Sequence, residues 1–236
     1  MQLEILLETS HFLVINKPHG LIVEQNPWED SVENQVRNFL FPCSPLNPLK
    51  GKSSRRDSKS KKNLLGIVHR LDRVTSGALI LAKKKSALKN LNEQFRLKKV
   101  RKTYLAVVEN AAPNDKGILK NWLKKDLKNK KAIIYPETKK DAVECSLSYE
   151  KIISNKVGHL LKIKPKTGRF HQIRAQLAYI NCPIIGDEKY GSKTAFFKNS
   201  IALHASELIF KNPQTDELVH IKAPLPKNDF WNVFNL

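Results

Sequence analysis

The chain carries the stretch His69-Arg70-Leu71-Asp72-Arg73-Val74-Thr75-Ser76-Gly77 between two apolar segments. Residues 64–68 predict a short buried strand, and residues 78–82 predict a central strand because they are apolar throughout. The stretch between them is then a loop on a rigid scaffold, which is where catalytic groups tend to lie. This loop is the first candidate for a functional site.

The loop places one carboxylate, Asp72, between Arg70 and Arg73. Neighbouring arginines favour the charged form of a carboxylate. A charged aspartate suits a nucleophile or a base and is poorly suited to a general acid. An ordinary surface ion pair at a turn is the alternative, and these residues alone leave it open. His69 is expected to be structural, because two potential metal ligands three residues apart are a weak metal pattern.

A second polar stretch, Lys166-Thr167-Gly168-Arg169-Phe170-His171-Gln172-Ile173-Arg174, follows a predicted strand at 159–163 and opens a predicted helix at 172–180. Cations at a helix N-terminus indicate an anion site. Arg169 and Arg174 are five residues apart and so point in different directions, which lets one meet phosphate while the other turns inward. A solvated basic helix start is the alternative.

Charge indicates the class of partner. The 42 Lys and Arg residues against 22 Asp and Glu residues leave a formal net charge of +20, and proteins this basic usually bind a polyanion. RNA, DNA and anionic lipid are not separated by charge, and a merely lysine-rich solvated surface is the alternative. Lysine clusters at residues 98–102 and 120–131 are candidate contacts.

Residues 43–63 are rich in Ser, Pro and Lys, and between Lys50 and Lys62 they hold seven basic residues and one acid. Such a segment cannot bury enough apolar surface to order itself, so a flexible basic loop is predicted. It is either an arm for the RNA backbone or a solubilising loop.

Several function classes lack their sequence signals. No apolar run approaches the ~20 residues of a membrane span, and the acidic N-terminus does not resemble a signal peptide, so a cytoplasmic protein is expected. Phosphate-loop, dinucleotide and metal-ligand patterns are absent, and Cys43, Cys145 and Cys182 are expected to be reduced thiols. Chemistry on a nucleic acid without a cofactor is therefore the working hypothesis.

The remaining patterns predict an α+β fold with a mixed, mostly antiparallel sheet and flanking helices. A helix is expected over residues 32–40, with Asp30 and Glu33 as its capping box, and another from Ser86. Strands are predicted at residues 3–7, 12–17, 102–108, 132–134, 142–149, 203–210 and 218–221.

The 69–77 loop resembles the signature of the RluA-type family of RNA pseudouridine synthases. Five further segments are similar to family motifs and occur in the same order, at residues 14–20, 102–108, 167–174, 183–191 and 203–205. The resemblance implies one catalytic domain over residues 1–236, with two subdomains around a central active-site cleft. It implies no cofactor and no metal. Because the chain starts at the first predicted strand, no separate N-terminal RNA-binding domain is expected.

The resemblance also implies residue roles. Asp72 matches the catalytic aspartate, Tyr104 the tyrosine that packs on the target uracil and assists proton removal, and Arg174 the buried arginine that pairs with the carboxylate. Arg70 matches the arginine that enters the RNA stack when the base leaves it. The expected RNA contacts are Arg70, Arg73, Lys102, Arg169, His171 and Gln172. Gln176 departs from the family pattern, where many members have histidine.

The implied function is isomerisation of specific uridines in ribosomal or transfer RNA by a monomeric enzyme, through base flipping and an Asp72-dependent glycosidic rearrangement. Flipping costs a few kcal/mol of stacking, which Tyr104 and Arg70 would offset. Whether Asp72 attacks the base or the sugar stays open. A non-catalytic RNA-binding protein that kept the fold, or another nucleic-acid enzyme such as a glycosidase, are the alternatives.

Overall fold

The computed structural model describes residues 3–42 and 64–234. The basic loop predicted at 43–63 lies outside the described residues, as does Cys43. The strands are β1 (Glu4–Glu8), β2 (Phe12–Lys17), β3 (Gly66–Ile67), β4 (Ser76–Ala82), β5 (Arg101–Val108), β6 (Lys116–Asp126), β7 (Lys131–Tyr135), β8 (Val143–Asn155), β9 (Gly158–Pro165), β10 (Leu203–Lys211) and β11 (Leu218–Lys222). The helices are α1 (Val32–Leu40), α2 (Lys85–Arg96), α3 (Gln172–Tyr179) and α4 (Asp229–Asn232), with a 3₁₀ turn at Glu188–Tyr190.

These strands form one sheet in the order β1-β2-β4-β10-β5-β9-β8-β6-β7, with β3 paired to β4 and β11 paired to β10. The β4–β10 pair is parallel, and the other registers are antiparallel. The predicted α+β fold with a mixed, mostly antiparallel sheet is therefore confirmed. No helix in residues 3–42 and 64–234 is long and apolar enough to cross a membrane.

Strand β4 lies inside the sheet between β2 and β10, and all seven of its residues are buried. Its entry depends on Gly77, whose φ is +114° and which lies against the backbone of Ala205 on β10. A β-carbon at Gly77 would lie 2.3 Å from the carbonyl oxygen of Ala205. Gly77 thus lets the parallel β4 and β10 meet directly after the 69–77 loop.

A buried histidine joins the same two strands. His204 is paired with Ser76 in the parallel register, and its Nδ1 lies 2.9 Å from the Ser76 hydroxyl. Its Nε2 lies 3.2 Å from the carbonyl oxygen of Ala223, so Nε2 donates and Nδ1 accepts. Burial lowers the pKa of His204 to about 4. The neutral ring therefore fixes the exit of the 69–77 loop.

Two local predictions are wrong in detail. Ser31, not Asp30, caps α1, because its hydroxyl accepts from the backbone amide of Asn34. Strand β6 is absent from the sequence prediction because its lysines resemble a solvated basic cluster. Leu119, Asn121 and Leu123 nevertheless alternate inward, and Asn121 breaks the apolar pattern at the middle position.

The core continues beneath α3, whose residues from Gln172 to Leu177 are buried. Leu177 packs with β5 and β9 residues such as Ala106 and Leu161 in one apolar cluster. Tyr104 borders that cluster and a second one built on β2 and β4. Tyr104 therefore lies between the cluster that packs beneath α3 and the cluster on β2 and β4, next to the 69–77 loop.

Candidate active site

The loop that carries Asp72 is tied down by backbone hydrogen bonds. The amide of Thr75 donates to the carbonyl of Asp72 at 3.0 Å, and the amide of Gly20 donates to the carbonyl of Arg73 at 2.8 Å. The ammonium of the fully buried Lys17 donates to the carbonyls of Pro18, Leu21 and Arg73. Burial lowers the pKa of Lys17 to about 7, against the opposing effect of the Asp72 charge. Lys17 therefore fastens the loop to β2.

Arg174 on α3 bridges two carboxylates. Its NH1 donates to Asp72 Oδ2 at 3.0 Å, while Nε and NH2 donate to the two oxygens of Asp187 at 2.6 and 2.8 Å. Burial disfavours the charged guanidinium, but Asp187 and Asp72 outweigh it and raise the pKa of Arg174 above its usual range. The bidentate contact with Asp187 fixes the guanidinium, and its remaining NH1 holds Asp72 by one hydrogen bond.

The side chain of Asp72 is 27% exposed, whereas those of Arg174 and Asp187 are 6% and 1% exposed. Asp187 is therefore a buried counter-ion, and Asp72 is the member of the trio that faces the solvent. A carboxylate held in this way is available to a substrate and keeps its orientation without one.

The arginines next to Asp72 in sequence have other partners. Arg70 pairs with Glu24 at 3.2 Å, and Arg73 pairs with Glu29 at 3.1 Å. Arg70 and Arg73 are therefore not the ion-pair partners of Asp72 that their neighbouring positions suggested. Arg174, 102 residues further along the chain, pairs with Asp72, as the family resemblance implied.

His171 lies above the carboxylate, with its Nε2 3.8 Å from Asp72 Oδ2. Its Nδ1 is 3.0 Å from the hydroxyl of Tyr190, and its ring stacks on Phe170. Burial lowers the pKa of His171 to about 4, despite the opposing charge of Asp72. The ring is therefore neutral near pH 7 and adds no charge to the start of the helix.

A buried amide network supports α3 from below. The Gln172 oxygen accepts from the Thr167 hydroxyl and the Arg169 amide, and its nitrogen donates to Ser146 and to Gln176. With both amide atoms engaged inside the protein, Gln172 is better suited to positioning than to RNA contact. Gln176, the departure from the family pattern, is fully buried and donates to Asn121 on β6.

A cleft of about 590 Å³ opens in front of these groups. That volume is typical of small-molecule sites. Its walls include Asp72, Tyr104 and Arg174, together with Arg70, Lys102, Arg169, His171 and Gln172. Arg73 does not line the cleft. The structure thus brings together the predicted residues except Arg73.

Tyr104 and Lys102 project from β5 into the cleft. Burial and the nearby charge of Asp72 raise the pKa of Tyr104 above its usual range, so the phenol is protonated near pH 7. Burial lowers the pKa of Lys102. A β-carbon on Gly168 would lie 3.3 Å from the Lys102 ammonium, so Gly168 leaves room for that cation.

The described residues contain no group of three His, Cys, Asp or Glu side chains arranged to hold a metal ion. His69 accepts a hydrogen bond from the amide of Ile80, stacks on Phe95 and has its pKa lowered to about 3 by burial. The structural role predicted for His69 is confirmed. Cys145 and Cys182 are free and buried.

Sequence reasoning assigned no role to Asp187, Tyr190 or Lys17. All three lie inside the family-like segments at 14–20 and 183–191, where an acid and a lysine among apolar residues were the available signals. Tyr190 accepts from the amide of Ala132, and its ring lies 5.1 Å from the Arg174 guanidinium. It therefore packs both His171 and Arg174.

A protein-family model described as RNA pseudouridylate synthase matches residues 11–179. Ribosomal large subunit pseudouridine synthase C of Buchnera aphidicola (subspecies Acyrthosiphon pisum) is 37% identical over 98% of this chain and 69% of its own length. Ribosomal large subunit pseudouridine synthase D of Borreliella burgdorferi is 34% identical over 86% of this chain and 60% of its own length.

The fold is also shared with solved structures. Human RNA pseudouridylate synthase domain containing 4 superposes with a TM-score of 0.72 over 95% of this chain and 89% of that chain, at 22% identity. Human RNA pseudouridylate synthase domain containing 1 gives a TM-score of 0.74 over 95% of this chain and 84% of that chain. At this level of identity the likeness concerns the fold.

Proposed function

Because this chain belongs to the RNA pseudouridylate synthase family and is an enzyme that isomerises uridine in RNA to pseudouridine, we propose that Asp72 is its catalytic carboxylate. One observation carries this proposal: Asp72 is the partly exposed carboxylate of a trio whose other members, Arg174 and Asp187, are buried. Arg174 is the positioning residue, and Asp187 is its counter-ion.

The reaction breaks the bond between the ribose and nitrogen 1 of uracil and rejoins the ribose to carbon 5 of the same base, so no group is gained or lost. A charged carboxylate contributes by adding to the base or by bonding to the sugar as the base departs. Either route requires the carboxylate to keep its orientation, and the hydrogen bond from Arg174 NH1 holds it in place.

Tyr104 is proposed to pack on the flipped uracil and to assist removal of the proton from carbon 5. Its raised pKa keeps the phenol protonated. Tyr104 can therefore accept the carbon-5 proton only if it gives up its own hydroxyl proton at the same time. Asp72 is the neighbouring charged group, as its effect on the pKa of Tyr104 indicates. Tyr104 and Asp72 would then act as a relay after the new carbon–carbon bond has formed and the carboxylate is free, with the carbon-5 proton passing on to water while nitrogen 1 takes up a proton from water.

The substrate we propose is large-subunit ribosomal RNA, in preference to transfer RNA. The names of the relatives from Buchnera and Borreliella support this choice.

Arg70, exposed at the mouth of the cleft, would fill the stack that the flipped base leaves, and Arg73, Lys102, Arg169 and His171 would contact the RNA. We further propose a cytoplasmic monomer that needs no cofactor or metal, with two subdomains around the cleft.

Release of tritium from carbon 5 tests the catalytic assignment. Unmodified large-subunit ribosomal RNA carrying uridine labelled at carbon 5 should lose tritium with the wild-type protein. Asp72→Asn should lower turnover at least about 1,000-fold, because an amide is not a nucleophile at neutral pH. Asp216→Asn, in the exposed turn between β10 and β11, is the matched control and should retain turnover.

Normal turnover by Asp72→Asn would overturn the assignment. Free uracil among the products would favour a glycosidase over an isomerase. Transfer RNA transcripts, tested in parallel, separate the two substrate classes, and faster tritium release from them than from ribosomal RNA would contradict the proposed substrate.

A further inference from the structure

Trp28 lies in the segment between β2 and α1 and is 89% exposed. It is the most exposed large apolar side chain among the described residues. The other two tryptophans differ, since Trp231 is buried in the core and Trp122 is half-buried on β6. Tryptophan has a large apolar surface, and leaving it in water forgoes the stabilisation that its burial gives elsewhere.

The segment that presents Trp28 is held in place by its own hydrogen bonds. The amide of Trp28 donates to the side chain of Asn26 at 2.8 Å, and Asn26 and Glu29 form an antiparallel bridge. The amide of Gln25 donates to Glu33 on α1 at 3.0 Å. The indole is therefore presented on an ordered turn, which reduces the entropy lost when a ligand stacks on it.

Two ion pairs attach this turn to the loop that carries Asp72. Glu24, before the turn, pairs with Arg70, and Glu29, after it, pairs with Arg73. The Gly20 carbonyl also accepts from the Arg73 guanidinium at 3.1 Å. The turn that carries Trp28 is thus attached to the 69–77 loop although the two are more than 40 residues apart in sequence.

Trp28 faces an open concavity that we call the outer recess, lined by residues 22–28 with Arg70, Leu71 and Arg73. Arg70 and Leu71 also line the cleft that holds Asp72. The two concavities therefore meet at Arg70. An RNA strand with one base in the cleft that runs past Arg70 would bring its neighbouring nucleotide to the outer recess.

We propose that the outer recess binds an unpaired nucleotide adjacent to the flipped uridine, with its base stacked on Trp28. This rests on the proposed function of the cleft. Aromatic side chains are the usual platforms for unstacked RNA bases. Glu24 and Glu29 pair with Arg70 and Arg73 at the recess, which makes the recess less attractive to a phosphate. A base stacked on the indole suits this surface, while the backbone remains with the basic surface outside it.

Tryptophan fluorescence tests the inference without relying on catalysis. The probes are a short single-stranded oligouridylate and a blunt RNA duplex of the same length. Wild-type emission should be quenched by the single strand more than by the duplex, and Trp28→Phe should lose most of that quenching. Trp28→Ala should weaken binding of the single strand roughly 5- to 100-fold, whereas Trp28→Phe should stay within about threefold, because a phenyl ring still stacks.

Leu218→Ala provides the matched control, since Leu218 is an exposed apolar side chain on β11 outside both concavities. It should leave both affinities at the wild-type level. With a ribosomal RNA transcript that supports tritium release, Trp28→Ala should raise KM more than it lowers kcat.

Unchanged single-strand affinity in Trp28→Ala would overturn the inference and leave Trp28 as a contact for another kind of partner. Equal losses for single strand and duplex would also overturn it, because duplex bases are not free to stack. Absence of tritium release by the wild-type protein would instead count against the proposed function, and the fluorescence result would still decide the role of Trp28.

Discussion

Arg174 contacts two carboxylates in different surroundings, and the difference assigns separate roles to its two contacts. Asp187 is 1% exposed and depends on Arg174 for compensation of its charge, whereas Asp72 is 27% exposed and is partly hydrated. The Arg174–Asp187 contact therefore stabilises the fold. The Arg174–Asp72 contact orients the carboxylate that we propose to be catalytic.

Arg174→Met should separate these roles. It leaves Asp187 as a buried charge without its partner, which costs about 3–5 kcal/mol of unfolding free energy, and it removes the group that orients Asp72. In the double variant Arg174→Met/Asp187→Leu, neither charge of this buried pair remains, so urea unfolding should show most of the stability restored. Tritium release should stay low in both variants. A double variant that regains turnover would contradict the orienting role of Arg174.

At this scale, sequence patterns located Asp72, Tyr104 and Arg174 through the family-like segments. The loop residues alone pointed to Arg70 and Arg73 as partners of Asp72, because adjacency along the chain does not indicate side-chain direction: Arg70 and Arg73 turn toward Glu24 and Glu29. The roles of Asp187 and Lys17 were missed for the same reason. Their contacts join residues that the chain separates and only the folded sheet brings together.

Among the elements, the junction of β4 and β10 determines how the catalytic loop leaves the sheet. Gly77→Ala should lower the unfolding free energy by more than about 3 kcal/mol, because a positive φ and a backbone clash act together. The β-carbon would lie 2.3 Å from the Ala205 carbonyl oxygen, and no flexible side chain can move aside. Urea denaturation measures the loss.

Gly191→Ala is the matched control for Gly77→Ala. Gly191 also has a positive φ, +94°, but a β-carbon there would meet no atom within 4 Å. It should therefore cost only the conformational strain, about 1–2 kcal/mol. Equal losses in the two variants would show that the close approach of β4 and β10 is not what requires glycine at position 77.

Element predictions were good where apolar residues repeat and poor where polar residues point inward. Apolar residues predicted β4 and β5. Strand β6 was not predicted, because the inward position at its middle holds Asn121, whose buried amide contacts Gln176. Sheet order was not accessible to local patterns. Strand β10 lies between β4 and β5 although it follows β5 by nearly 100 residues, and this placement depends on long-range packing.

For the whole molecule, the excess positive charge is not concentrated in the catalytic groups. Arg174 is compensated by Asp187 and Asp72, and Arg70 and Arg73 are paired with glutamates. We therefore expect RNA affinity to come largely from lysines that take no part in the proposed reaction. An example is Lys125, which lies above the Phe170 ring at the cleft wall. Affinity and catalysis should therefore be separable by substitution.

The basic segment within residues 43–63 offers a direct test of that separation. It lies outside the described residues, and its composition is the basis of the prediction. Replacing its seven basic residues between Lys50 and Lys62 with glutamine should weaken binding to ribosomal RNA and flatten its salt dependence. Each lost phosphate contact lowers the slope of log affinity against log salt by about 0.7–0.9, so a decrease of about 2 or more is expected. Single-turnover tritium release from bound RNA should persist. An unchanged slope would identify the segment as a solvated insertion.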